Sequence, residues 1–457
     1  MRKPMNINSV AEFLKKLKIE QAISGKIKLL VAVSGGVDSV VLLHILSGLN
    51  DICTLGVAHC NFGLRGQNSD FDELFVLELA QALNLPFYTT HFETLDYAKA
   101  NTLSIQMAAR QLRYDWLAQL QQTHNYHFIA TAHHQNDVAE TVLLNLTKGA
   151  GIAGLHGILP QQGIIIRPIL GFNKQQITQY AQQNNLNWQH DASNDQAHKY
   201  ERNFIRHQVL PTLVQLNPQA IKHIYQTSLY LRDTELVYRQ ALTTIKRKLL
   251  QTNFHGDIEI GIRKLTAIPG APTILFEVLS DFGFNTTQSN EVWAALNGES
   301  GKTWLSPTYK IIKNRTQLLI TKAENQKTSQ HNIDALPSKL ITSGFTLQLN
   351  TELASDITIA PTPNRAWFDA NLVALPLVLR RWQPGDYFYP FGLNRKKKKL
   401  SRFFIDLKLS LADKDRQWVL CDARNRIIWA VGLRADERFR ITPKTQQVIV
   451  AVVNNQS

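Results

Sequence analysis

Over the first 215 or so residues, short apolar runs alternate with longer stretches in which apolar residues recur at helical spacing. Leu29 to Val33 is apolar and partly β-branched and predicts a buried strand, and the VVLLHIL that follows shortly after it predicts a helix. Thr54 to His59 predicts a second strand, Asp70 to Leu85 a helix, PFYTTHF a strand and Ser104 to Gln122 a long helix. His127 to Ala132 predicts another strand, His133 to Leu146 a helix, and Lys174 to Asn184 one more. Strands and helices in this order predict an α/β fold with a doubly wound parallel sheet. Ligands of such sheets bind outside the carboxyl ends of the strands. Three polar clusters fall there, after Val33, after Ala58 and after Ala132.

From about Pro211 the pattern changes. Asn217 to Leu250 predicts a pair of helical runs, NEVWAALN a helix and Pro307 to Lys322 a β-hairpin. Glu324 to Asp334 is polar and predicts a linker. From about Leu340, FTLQL, DITIA and RIIWAVGL predict short strands, so the last domain is expected to be small and mainly β, with one helix. The expected organisation is an α/β domain over 1–215, a mainly helical domain over 216–322 and the β domain over 340–457. A chain of 457 residues is long enough for about three domains.

Charge adds a partner to this picture. The formal net charge is +14, and residues 361–457 hold 18 Lys and Arg against 8 Asp and Glu, a net +10. A concentrated basic surface favours a polyanion such as nucleic acid. In this region stand Arg380-Arg381-Trp382 and the run Arg395, Lys396, Lys397, Lys398, Lys399, followed by Arg402-Phe403-Phe404. A solvated loop or an import-like patch would also be basic, but the interleaved aromatics favour a footprint for phosphate backbone. Cys53, Cys60 and Cys421 form no C-x-x-C pair and no zinc set. The amphipathic N-terminal stretch lacks the apolar core of a signal peptide, and no apolar run approaches the ~20 residues that span a bilayer. The cytosol is the expected compartment, without a membrane partner.

The chemistry begins at Ser34-Gly35-Gly36-Val37-Asp38-Ser39, between the first strand and its helix. Such a turn brings backbone N–H groups to a helix N-terminus, where an anion is stabilised by the donors and the helix dipole. The glycines allow close approach of a phosphate and the serines add hydroxyls. Asp38 beside a phosphate calls for a cation between them, which suggests magnesium. The loop is not a Walker A sequence, and Gly298 to Thr303 (GESGKT) is not one either, because Leu296 stands where glycine is needed and a helix precedes it.

The third cluster runs from Thr131 to Thr141. On a helix His133, Asp137 and Glu140 share a face, and two carboxylates there could hold a metal or an ammonium group. A lasting transition-metal site lacks a third firm ligand. Gly149 to Gly157 reads as a flexible connection over the site, with lid function open. Arg202 and Arg206 lie one helical turn apart, a spacing suited to phosphate recognition or simply to an exposed basic face.

Together these residues resemble one family. SGGVDS, HCNFGLRGQNSDFDE, AARQLRYDW, TAHHQNDVAET, RPIL, HDASNDQ and YERNFIR occur in the order expected of the bacterial tRNA(Ile)-lysidine synthetases, within the pyrophosphate-loop ATP pyrophosphatases. RRWQPGDYFYPFG, KKKKLSRFFID and WAVGLRADER resemble that family's last domain, so the likeness covers nearly the whole chain and is weakest between about 220 and 340. SGGxDS alone would also admit NAD, GMP and asparagine synthetases. The AHH-x-x-D-x-x-ET and R-N-x-x-R elements narrow the choice.

The resemblance implies that ATP adenylates the 2-carbonyl oxygen of the wobble cytidine in a CAU-anticodon tRNA(Ile), releasing pyrophosphate. The side-chain amine of free lysine, with a reference pKa of about 10.4, then loses a proton and displaces AMP. It implies that Ser34, Gly35, Gly36, Val37, Asp38 and Ser39, with His59 and Arg206, bind ATP, and that Asp38 holds magnesium. Asp137 and Glu140 would receive the lysine ammonium, with His133 and Arg113 also catalytic. Arg65, Arg110, Arg202, Arg380, Arg381, Arg395, Lys396, Lys397, Lys398, Lys399 and Arg402 would contact tRNA. A homodimer stays open. The alternatives are a tRNA thiolase on the same loop, which would need catalytic cysteines, and a non-catalytic nucleotide- and RNA-binding module. An amidotransferase-type synthetase lacks a visible glutaminase segment.

Overall fold

Strand β1 (Ile27–Ala32) has a fully buried centre, Leu29, Leu30 and Val31, as its apolar run requires. It forms the middle of a six-stranded sheet with β2 (Cys53–Asn61), β3 (Phe87–His91), β4 (Phe128–Ala130), β5 (Gln161–Gln162) and β6 (Ile165–Ile166). The computed structural model describes residues 5–64, 66–189, 201–323, 330–342, 344–357 and 362–455. Strand order is β3-β2-β1-β4-β6-β5, parallel except for the short edge strand β5. The chain winds from β1 to β3 on one side and resumes with β4 on the other, so β1 and β4 flank the point where the winding reverses. Register sets Ala32 beside Ala58, and Val31 beside Ala130, so the three strand ends are level. That crevice is where a doubly wound sheet binds its ligand.

Helices α1 (Asn8–Glu20), α2 (Val37–Ser47), α3 (Gln67–Ala82), α4 (Thr94–Ala100), α5 (Ile105–Thr123) and α6 (Gln135–Thr147) complete the alternation. Val37, Val40, Val41, Leu42, Leu43, Ile45 and Leu46 of α2 are all buried, which fits a helix that is apolar on every side. The helix predicted from His133 instead starts at Gln135, with His134 as its extended N-cap. His133 therefore precedes the helix on which it was expected to share a face with Asp137 and Glu140.

The glycine-rich stretch is anchored where a flexible connection was expected. It contains the short helix α7 (Ile152–Leu155), and the Gly154 carbonyl accepts from Asn145 Nδ2 at 2.7 Å. Gly157, at φ +67°, packs so closely on α6 that a Cβ there would sit 2.8 Å from Val138 Cγ1. After α8 (Lys174–Gln183), α9 (Glu201–Phe204) and a π-helical turn (Ile205–Val209) lead to α10 (Leu210–Leu216). One continuous helix, α11 (Ala220–Leu249), replaces the two predicted runs.

The chain falls into two units, Met1–Gln240 and Ala241–Ser457. The second combines three helices, at Ile262–Thr266, Ala271–Ser280 and Thr286–Ala295, with a five-stranded antiparallel sheet. The predicted hairpin is in that sheet, with Tyr309 to Lys313 paired to Gln317 to Lys322. The rest of this unit packs a five-stranded and a four-stranded antiparallel sheet around Phe368, Trp429 and Phe439. His331–Ile333, at the end of the expected linker, is itself a strand paired with Leu377 to Leu379. Two short helices, Leu400–Asp406 and Leu411–Asp415, stand where one was expected. Among the described residues no helix is long and apolar enough to cross a membrane.

Candidate active site

A cleft of about 750 Å³ opens at the carboxyl ends of β1, β2 and β4. At one wall, Gly35 takes φ +89°, a conformation that glycine adopts without strain. Gly36 then caps α2 in an extended conformation. Ser39 closes the turn: its Oγ accepts from the Ser34 N–H at 3.2 Å and donates to the Gly36 carbonyl at 2.9 Å. The first-turn N–H groups of a helix have no acceptor within it, so this end of α2 is a cradle for an anion. Ser34, Gly36, Asp38 and Ser39 all line the cleft.

Asp38 accepts from Lys174 Nζ through both carboxylate oxygens, each at 2.7 Å. His134 Nε2 lies 3.7 Å away. Burial alone would raise the Asp38 carboxyl, but His134 and Lys174 hold it below its ordinary range. Lys174 opens α8, whose N-cap Asn173 exchanges reciprocal hydrogen bonds with Gln176. Its own N–H donates to Asn136 Oδ1 at 3.1 Å, and Gln135 Nε2 donates to the Gly171 carbonyl at 2.6 Å. The start of α8 is thereby fixed to the start of α6. Sequence spacing missed Lys174, which is 136 residues from Asp38; the only local signal is the Asn173 cap that sets it at a helix start.

The start of α6 gathers the remaining acids. Asp137 Oδ2 accepts from the His134 N–H at 3.0 Å, capping the helix with a negative charge that its dipole favours. Glu140, 1% exposed, accepts from Arg206 Nε at 2.6 Å and Nη2 at 2.9 Å, and from Arg202 Nε at 2.8 Å. Arg202 Nη2 also reaches Asp137 at 3.1 Å. The two arginines do face the same way, as their spacing predicted. The π-helical turn that holds Arg206 is a distortion common at functional sites.

His134, also without an assigned role in the sequence, is buried between two acids, 3.7 Å from Asp38 and 3.4 Å from Asp137. Burial opposes its charge, yet the nearby carboxylates of Asp38 and Asp137 raise its pKa. His133 goes the other way. Burial lowers it to about 4, against the pull of Asp137 and with Arg167, Arg202 and Arg110 reinforcing the shift. Its Nδ1 lies 3.0 Å from Thr131 Oγ1, and the neutral ring lines the cleft.

Of the other expected site residues, Arg113 lines the cleft with its guanidinium over the Phe62 ring. Arg110 is exposed on the same helix, over the ring of Tyr114. His59 was expected to bind ATP, but its side chain is buried and does not line the cleft. It alternates on β2 with Ala58 and Cys60, which line the cleft, while its own Nδ1–H donates to the Val33 carbonyl at 2.9 Å. It is a buried support for the strand that carries the loop, and burial lowers its pKa. Arg65 and the stretch from His190 to Tyr200 lie outside the described residues.

In the second unit Arg380 was expected at an RNA surface and is instead 7% exposed, in a bidentate pair with Asp386 at 2.8 and 2.9 Å. Arg381 stacks on Trp418, 4.3 Å from the ring centroid. Arg395, Lys396, Lys397, Lys399 and Arg402 are exposed, and Lys398 pairs with Asp406.

Comparison with known proteins adds to this geometry. Residues 5–213 match the PP-loop domain family, 253–323 the TilS substrate binding domain and 377–452 the TilS substrate C-terminal domain. A tRNA(Ile)-lysidine synthase of Bacteroides thetaiotaomicron is 38% identical over 423 residues, covering 93% of this chain and 94% of its own length. One from Parabacteroides distasonis is 36% identical over 447 residues, covering 97% and 99%. Among solved structures, the U34-tRNA thiolase NcsA from Methanococcus maripaludis aligns at TM-score 0.39 and 19% identity, over 49% of this chain and 78% of that one.

Proposed function

The chain belongs to the tRNA(Ile)-lysidine synthase family, and from that premise we propose that it ligates free lysine to the 2-position of the wobble cytidine of a CAU-anticodon tRNA(Ile). ATP activates the cytidine by adenylation and leaves as AMP and pyrophosphate. What carries the reading is the meeting of an anion cradle and a balanced network of acids and bases at the same strand ends. Asp38, Asp137 and Glu140 face Lys174, Arg202 and Arg206 there.

The triphosphate lies along the Ser34 to Ser39 turn, its charge met by the first-turn N–H groups of α2. Asp38 fits magnesium. It already binds a cationic group, the Lys174 ammonium, through both oxygens. Magnesium commonly takes one or two carboxylates and fills its shell with phosphate and water. Bound with ATP, it would neutralise phosphate charge and help pyrophosphate leave.

Lys174 and Arg113 line the same cleft and supply cations to the phosphates as the cytidine oxygen attacks the α-phosphorus. Lysine then enters beside Asp137 and Glu140, its side-chain ammonium replacing a guanidinium nitrogen of Arg202; it gives one proton to solvent, and the resulting amine bonds to C2 as the C2–O bond to AMP breaks. His133 stays neutral near pH 7 and offers hydrogen bonds to the nucleotide without adding charge. We assign the chemistry to residues 1–215 and tRNA contacts to 216–322 and 340–457, in a cytosolic enzyme.

A thiolase reading would need a reactive cysteine. Cys60 lines the cleft, but burial pushes its thiol up to about 12 despite Arg113, so little thiolate forms at neutral pH. The test is an incubation with magnesium, ATP, lysine and unmodified CAU-anticodon tRNA(Ile), followed by nucleoside mass analysis. Pyrophosphate release with lysine joined to the wobble cytidine is expected. Release without that product would redirect the reading to another nucleophile, and no release would leave a binding module.

A further inference from the structure

A second cavity, of about 450 Å³, opens in the C-terminal part of the second unit. The buried Trp429, with Trp367 and Phe391, lines it. Phe391 is 54% exposed, a large ring presented to solvent. Arg365, Arg434 and Arg440 line the same cavity and are all exposed. Among the described residues Arg365 and Arg434 form no ion pair, and Arg440 reaches Glu437 only at 3.7 Å. The acid among the lining residues, Asp436, is already neutralised by two hydrogen bonds from the Arg438 guanidinium, at 3.0 and 2.8 Å, and accepts from the N–H groups of Arg438 and Tyr389, each at 2.9 Å. The mouth is therefore positive.

The cavity is a fixed structure. The Phe391 N–H donates to the Ala435 carbonyl at 2.9 Å, Pro390 bridges to Asp436, and the Arg395 N–H donates to Glu437 at 3.1 Å. These bonds tie the loop that carries Phe391 to the segment that carries Arg434. The same loop runs on into the exposed cations Arg395 to Lys397.

An uncharged apolar ligand would leave three guanidinium groups unanswered, and a bare anion would make no use of aromatic walls. A nucleotide uses both. Unstacked bases pack on aromatic side chains while arginines take the flanking phosphates. We propose that this cavity takes one unpaired nucleotide of an RNA strand, its base against Phe391 and its phosphates on Arg365, Arg434 and Arg440. The strand continues over Arg395 to Lys397. The proposal rests on the reading of the chain as a tRNA-modifying enzyme, and it adds a site that holds a splayed nucleotide outside the cleft where the chemistry occurs.

The test titrates the full chain into a labelled single-stranded RNA of about eight nucleotides and into a blunt RNA duplex, by fluorescence anisotropy, with lysidine formation measured in parallel. Phe391→Ala is expected to weaken the single strand about tenfold and to leave the duplex unchanged. Arg434→Ala with Arg440→Ala should weaken the single strand and lower the salt slope by about one per arginine. Thermal melts of each variant check the fold, which an exposed ring and exposed arginines do not hold together. Single-strand affinity within twofold of wild type in Phe391→Ala, or equal losses on strand and duplex, overturns the proposal. If wild type still makes lysidine in that case, the cavity assignment alone falls. Wild type that neither binds RNA nor makes lysidine overturns the functional reading and the cavity with it.

Discussion

In the cleft of the first unit Glu140 is 1% exposed and held by two guanidinium groups, and Asp38 is gripped by an ammonium. In the C-terminal region Arg395, Lys396, Lys397 and Lys399 stand exposed side by side, with the Lys397 ammonium 3.7 Å from the centroid of the Tyr387 ring. The first arrangement gathers opposite charges around carboxylates at the cleft, Glu140 buried and Asp38 part-buried, where hydrogen bonds fix the geometry. Removing the buried Glu140 strands its guanidinium partners. The second places like charges in solvent, where each is screened and replaceable and the set matters as a field. A site that must align reacting atoms and a surface that must accept a long polyanion call for these two different constructions.

The largest effect that would break this comparison is at Asp38. Asp38→Ala should lower pyrophosphate release by about 10³-fold, the scale of losing one electrostatic contact to a transition state. Lys174 is 43% exposed at its side chain and can rehydrate, so the melting temperature should barely move. A near-normal rate would take Asp38 out of phosphate chemistry. Glu140→Gln comes next. It leaves Arg202 and Arg206, each about a third exposed and still beside Asp137, without the charge of their shared carboxylate, and stability should fall by about 1–3 kcal/mol. Adding Arg202→Met should restore part of that loss, a coupling that a double-mutant cycle by chemical denaturation would read. Additive losses would mean that the network is not a unit.

Why the two regions differ in how far sequence could read them follows from the same contrast. The Ser34 to Ser39 loop is local, so strand, glycines and helix are contiguous and its place at the end of β1 was legible. So was the basic run, because exposed charges need no partner to be recognised. The network is not local: Lys174 meets Asp38 across 136 residues and Arg206 meets Glu140 across 66. Nothing in periodicity joins such pairs. The turn of the His59 side chain away from the cleft was not legible, because a motif position does not say to which side of a strand a side chain points. Arg380 was misplaced because Asp386, six residues on, closes a buried pair that composition counts only as charge. The long helix α11 was read as two because local pattern does not register the continuity of a helix.

A smaller test sharpens the buried half. His133 has a folded pKa of about 4, below the ~6.5 of an unfolded histidine. Between these values the unfolded chain binds a proton that the folded chain does not. The contribution of His133 is therefore complete above pH 6.5 and lost as pH falls toward 4. His134, whose pKa is raised, contributes in the opposite sense: fully below its unfolded value, and lost as pH rises through its folded one. His133→Asn should thus flatten stability between pH 6.5 and 4, by on the order of 1–3 kcal/mol in unfolding free energy. An unaltered pH profile would mean that His133 takes up its proton at the same pH in the folded and unfolded chain.

The exposed half predicts the smallest effect per residue and the clearest salt signature. Lys396→Ala with Lys399→Ala removes two cations that are exposed and make no ion pair among the described residues. Folding should be unchanged, because neither side chain is buried. Affinity for tRNA should fall a few-fold at moderate salt, and the slope of log affinity against log salt should flatten by roughly 0.7–0.9 per lysine lost. The turnover of bound tRNA should stay at the wild-type value, since both lysines lie outside the residues of the cleft. A flattened slope with normal turnover is what a polyanion surface requires. A drop in turnover at saturating tRNA would instead mean that these lysines help to position the substrate, and the division between an aligning cleft and an accepting surface would fail at that point.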